Sequence, residues 1–81
     1  MRCTVLLFAQ LAEEIGKDQV TLDVADGATL ADALAALADE HEAIAAMRGT
    51  LAMAVNEQYC APTTVLQDGD TVALIPPVSG G

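Results

Sequence analysis

The chain has 81 residues, 53% of them hydrophobic and only 2% aromatic, with a formal net charge of −9. That length holds one domain, with a modest core made from Leu, Val, Ile, Ala and Met. Three basic residues (Arg2, Lys17, Arg48) and two aromatic ones (Phe8, Tyr59) exclude a phosphate-binding face and a base-stacking platform, so nucleic acid is not an expected partner.

From Cys3 to Phe8 an apolar run of strand length sets Cys3, Val5 and Leu7 on one face and Thr4, Leu6 and Phe8 on the other. Residues 9 to 15 change to helical spacing, with Leu11 and Ile15 four apart and Gly16 at the position of a C-cap. Gln19 to Val24 alternates, Val20, Leu22 and Val24 against Thr21 and Asp23, as a half-exposed strand does. Asp26-Gly27 marks a turn.

Thr29 to Glu40 carries the strongest helical signal. Thr29 is the expected N-cap with Asp32 three residues on, and Leu30, Ala33, Leu34 and Leu37 make one apolar stripe. A second helical stretch covers about Glu42 to Met47. Leu51 to Val55 reads as a strand, Asn56-Glu57 as a turn, and Gln58 to Cys60 as a short return strand. Asp68-Gly69-Asp70 turns the chain into a last strand, Thr71 to Ile75, which Pro76-Pro77 ends because proline cannot donate to a ladder. One substantial helix against four or five short strands fits an α+β, β-grasp architecture: a mixed sheet packed on one main helix. The domain is expected to span residues 1–75, with 76–81 as an extended C-terminal diglycine tail.

Side-chain chemistry is scarce. One histidine, no Gly-rich phosphate loop, no HExxH and no Ser-His-Asp set leave little to catalyse with. Glu13-Glu14 and Asp39-Glu40 read as solvated helix faces. Cys3 and Cys60 form no CxxC and no cluster with His41, so no metal site is expected, and two free thiols in a reducing compartment are the simpler account than a disulfide. The apolar run at Cys3–Ala9 is too short to span a membrane and has no cleavage signature, so a cytoplasmic location is expected.

Two features stand out. The sequence ends Pro76-Pro77-Val78-Ser79-Gly80-Gly81. Prolines favour an extended, stiff exit, six extended residues reach roughly 20 Å, and a diglycine fits a channel too narrow for any Cβ. A terminal carboxylate at Gly81 is also a carbonyl that ATP can activate without disturbing the fold. The second feature is surplus apolar surface. If Val5, Leu7, Val72 and Leu74 face the helix, then Leu6, Phe8, Ala73 and Ile75 face outward. Tyr59 extends that patch beside the tail into a face for partner docking.

The segments "VLLFAQLAEEIGK", "LAMAVNEQY" and above all "LQDGDTVALIPPVSGG" give the whole chain a pattern that resembles the small subunit of molybdopterin synthase, the MoaD family of ubiquitin-like sulfur carriers. Where that family often has aromatic residues on the docking strand, this chain has Leu74-Ile75.

The resemblance implies a sulfur carrier that is not an enzyme on its own. It has no bound cofactor and works through Gly81. An adenylating enzyme of the ubiquitin-activating type would join the Gly81 carboxylate to AMP from ATP, and a sulfur donor protein would convert the acyl adenylate to a thiocarboxylate. Pro76, Pro77, Val78, Ser79 and Gly80 would position the tail in the large synthase subunit, within a heterotetramer. Sulfur would pass there to cyclic pyranopterin monophosphate in molybdenum cofactor biosynthesis. Leu6, Phe8, Tyr59 and Ile75 would dock the partner. Two alternatives stay open: a carrier for a thiamine, cysteine or tungsten-pterin pathway, and a ubiquitin-like protein modifier.

Overall fold

The computed structural model describes residues 1–77. In chain order the elements are β1 (Arg2–Leu7), α1 (Ala9–Ile15), β2 (Gln19–Asp23), α2 (Leu30–Glu40), α3 (Glu42–Met47), β3 (Ala52–Val55), β4 (Gln58–Tyr59) and β5 (Thr71–Ile75). The strands form one mixed sheet in the order β2-β1-β5-β3-β4. The first and last strands, β1 and β5, run parallel at its centre, and the other pairs are antiparallel. This is the β-grasp arrangement expected from the element order.

Alternation decides which side of the sheet is buried. Cys3, Val5 and Leu7 of β1 and Val72 and Leu74 of β5 point inward and are almost fully excluded from solvent. They meet the stripe Leu30, Ala33, Leu34 and Leu37 of α2, with Leu11, Ile44 and Leu66 closing the sides. None of these core side chains is aromatic, so the core depends on many aliphatic contacts, each large side chain contributing about 1.5–3 kcal/mol by burial.

The start of α2 is closed on every side. Thr29 Oγ1 accepts from the Asp32 amide at 3.2 Å, and Asp32 Oδ2 accepts from the Thr29 amide at 2.9 Å, a complete capping box. The Leu30 and Ala31 amides donate to the carbonyls of Thr64 (2.9 Å) and Pro62 (3.0 Å). The loop after β4 is thus tied to the helix N-terminus, and the amides left over by helix geometry all have acceptors. At the end of α1, Gly16 takes φ +81 and its amide reaches the Ala12 carbonyl, as its C-cap position requires.

Four strand ends fall short of the sequence expectation. Phe8, Val24, Leu51 and Cys60 lie just outside β1, β2, β3 and β4. Phe8 is the N-cap of α1, in extended conformation, and Ala9 behind it takes φ +51, so the chain turns abruptly from strand to helix. His41 serves both helices, as C-cap of α2 and N-cap of α3. No helix among the described residues is long and apolar enough to cross a membrane.

Candidate functional site

Among the described residues no helix lines the outer face of the sheet. Cross-strand pairing lines up Leu6 (β1), Ala73 (β5), Ala54 (β3) and Tyr59 (β4) in one row. Toward the C-terminal end of β5, Ile75 pairs with Ala52, and Phe8 follows the Leu7–Leu74 pair. Toward the other end lie Thr71, Asn56 and Glu57. The two alanines in the middle of the row make a low floor, and the larger side chains around them make walls. The result is an open groove of about 550 Å³.

All four docking residues expected from the sequence line this groove. Leu6 and Ile75 are half-buried, Phe8 is 44% exposed and Tyr59 is 75% exposed. Tyr59 is held on a two-residue edge strand whose residues are both exposed. Four lining residues were not singled out from the sequence: Ala54, Asn56, Glu57 and Thr71. The signal for Ala54 was weak, because Ala52–Val55 is apolar at every position and alternation cannot label its faces.

The polar end of the groove is held by a side-chain network. Asn56 Nδ2 donates to Asp70 Oδ1 at 2.9 Å, and Asn56 Oδ1 accepts from the Thr71 amide at 3.0 Å. The other Asp70 oxygen accepts from the Gln67 amide at 2.8 Å. Neighbouring Asp68 accepts from the Arg2 amide at 2.8 Å. The Asp68-Gly69-Asp70 turn is therefore tied to the β3–β4 hairpin on one side and to the start of β1 on the other.

At the apolar end, β5 gives way to Pro76, which is buried, and Pro77, which is exposed. The first proline packs with the body and exposure begins at the second. The other expected tail residues, Val78, Ser79, Gly80 and the carrier residue Gly81, lie outside the described residues.

Both cysteines are free. Cys3 is buried, with Sγ 3.8 Å from the Gln67 carbonyl. Burial pushes its thiol above the usual range, and the charges of Asp70 and Asp68 add to the effect. Cys60 is half-buried, with Sγ 3.1 Å from the Gln58 carbonyl. Among the described residues no group of three or more His, Cys, Asp and Glu side chains is placed to hold a metal ion.

Among the described residues the groove has apolar walls and a single charged side chain, that of Glu57. Comparison with known proteins places the chain among relatives that match it over its full length. The family model for the ThiS family matches residues 5–81. A molybdopterin synthase sulfur carrier subunit from Chlamydomonas reinhardtii is 40% identical over 83 residues, covering all of both chains. The crystal structure of small archaeal modifier protein 1 from Haloferax volcanii superposes with a TM-score of 0.87 at 34% identity, again over all of both chains. A protein–protein complex of subunits 1 and 2 of the molybdopterin-converting factor from Helicobacter pylori contains a chain matching with a TM-score of 0.71 at 29% identity over the full length of each.

Proposed function

The chain belongs to the ThiS family, and from that premise we propose that it is the sulfur-carrier subunit of a molybdopterin synthase. One observation carries the reading. Ile75, a wall of the outer groove, is followed directly by Pro76-Pro77 and the final Val78-Ser79-Gly80-Gly81 of the sequence. A partner seated on the groove is therefore adjacent to the start of the segment that ends in diglycine. Docking and delivery are coupled by chain connectivity alone.

The chemistry follows from what a carboxylate lacks. A free C-terminal carboxylate is ionised at neutral pH and is a poor electrophile. Adenylation by a ubiquitin-activating-type enzyme gives it a leaving group; a sulfur donor's persulfide sulfur displaces AMP to form an acyl disulfide, and a second thiol cleaves that S–S bond, leaving the thiocarboxylate on the chain and a disulfide on the thiol partners. The large subunit then receives that end and provides the acid–base groups that pass sulfur to cyclic pyranopterin monophosphate. In this reading the acid–base work belongs to the large subunit, and the chain is closer to a protein-bound substrate than to an enzyme. Cytoplasmic residence, where these partners would be met, belongs to the same proposal.

The test is intact mass. After coexpression with the adenylating enzyme and sulfur donor, the protein gains the mass of one oxygen replaced by sulfur. Incubated with the large subunit and cyclic pyranopterin monophosphate, it then yields the dithiolene product. Gly80→Val and removal of Gly81 each abolish transfer while circular dichroism stays unchanged. A thiocarboxylate that forms but gives no dithiolene shifts the reading to another sulfur pathway. The similarity to an archaeal modifier protein favours one second reading, protein modification, for which Gly81–lysine isopeptides in lysate digests are the signature.

A further inference from the structure

The groove is not uniform along its length. Thr71 and Ile75 bracket β5, about 13 Å apart at strand rise. At the Ile75 end the walls are Phe8 and Ile75, and at the Thr71 end they are Asn56 and Glu57. Among the described residues that line the groove, Glu57 alone is charged. Asn56 is committed to Asp70 and to the Thr71 amide, whereas the Glu57 carboxylate makes no hydrogen bond or ion pair among the described residues.

Glu57 also occupies an unfavourable backbone position. Val55 pairs with Gln58, so Asn56-Glu57 is a two-residue hairpin loop, with φ +50 at Asn56 and φ +71 at Glu57. Loops of this kind favour Asn followed by Gly, because the second residue is left-handed and a Cβ there is strained. Asn56 suits its place and Glu57 does not. A strained residue whose side chain leaves its charge unused on a binding face is a residue kept for what that charge meets.

We propose that Glu57 is a specificity-determining residue of the docking face: it pairs with a Lys or Arg that the large subunit presents beside the apolar side chain seated over Ala54 and Ala73. The proposal rests on the sulfur-carrier reading above. Complementarity gives the sign, since neither Lys nor Arg lines the groove and the chain carries −9 overall. It also gives a direction. A partner segment with a cation at one end and an apolar group at the other fits the groove one way round, which places a fixed part of the partner at the Ile75–Pro76 exit.

The experiment is calorimetry of the synthase large subunit against the full chain at low and high salt. Glu57→Gln weakens binding about fivefold to tenfold at low salt, with the gap closing as salt rises. Glu57→Gly weakens binding equally but raises the thermal midpoint, because glycine relieves the turn. Ile75→Lys serves as the docking control. If Glu57→Gln binds with unaltered affinity and salt dependence while Ile75→Lys is impaired, the role of Glu57 is refuted and the docking face stands. If the unmodified chain does not bind the large subunit, the sulfur-carrier reading fails and the proposal goes with it.

Discussion

The side chain of Asn56 donates to that of Asp70 across fourteen residues of sequence, at 2.9 Å, and so joins the β3–β4 hairpin to the turn that launches β5. The same amide group accepts from the Thr71 backbone. Asn56 also holds φ +50, which asparagine tolerates better than most residues. Asn56→Ala is therefore expected to lower stability by about 1–3 kcal/mol, through lost hydrogen bonds and added left-handed strain. Asn56→Gly, which loses only the bonds, should fall between the two. Urea unfolding of the three proteins checks the order, and an unchanged midpoint for Asn56→Ala would show that the link carries no stability.

Cys3 gives the fold a dependence on alkaline pH. Its thiol is raised in the folded state by burial first and by Asp70 and Asp68 second. The unfolded thiol ionises in the ordinary range near 8.5. Between that value and the higher folded one, the folded chain holds more protons than the unfolded chain, so stability falls as pH rises. The slope is at most about 1.4 kcal/mol per pH unit. Cys3→Ala lacks this component and costs about 1–2 kcal/mol at neutral pH through the lost sulfur contacts. The stability gap between the two proteins should narrow from about pH 8 to about pH 10. A constant gap in denaturation series at those two values would show that the thiol does not titrate as its surroundings dictate. Alkylation should modify Cys60 before Cys3, since the latter is 1% exposed.

The depth of the groove is set by Ala54 and Ala73, which face each other across β3 and β5. Ala73→Phe should fill that floor from the solvent side, lowering affinity for the large subunit at least about tenfold, while the unfolding free energy changes by about 1 kcal/mol or less. Ile75→Lys should act similarly, by placing a charge in the apolar wall. Titration of the large subunit with each variant is the measurement. Full affinity in both would place the partner on another surface.

Much of this molecule was legible before its tertiary structure. The Thr29–Asp32 capping box and the Gly16 cap follow from spacing within single elements, and so does the separation of Val5, Leu7, Val72 and Leu74 from Leu6, Phe8 and Ile75, while which of the two sets is buried is decided by the packing of α2. What was missed lies where spacing falls silent. Ala52–Val55 is apolar throughout, so nothing in it marks Ala54 as part of a groove floor. Glu57 reads as an ordinary turn residue until the hairpin is closed and φ +71 and the adjoining groove are seen together.

Local pattern was enough for the approximate extent of the elements, the Thr29–Asp32 and Gly16 caps and the alternation within β1, β2 and β5, because periodicity and capping chemistry act over three or four residues and need no distant partner. Long-range packing alone sets β1 and β5 side by side and parallel, bringing Leu6 against Ala73, and closes Asn56 on Asp70. Those contacts join residues far apart along the chain. Which strands meet depends on how the whole chain buries its apolar faces together, and no local window contains that information.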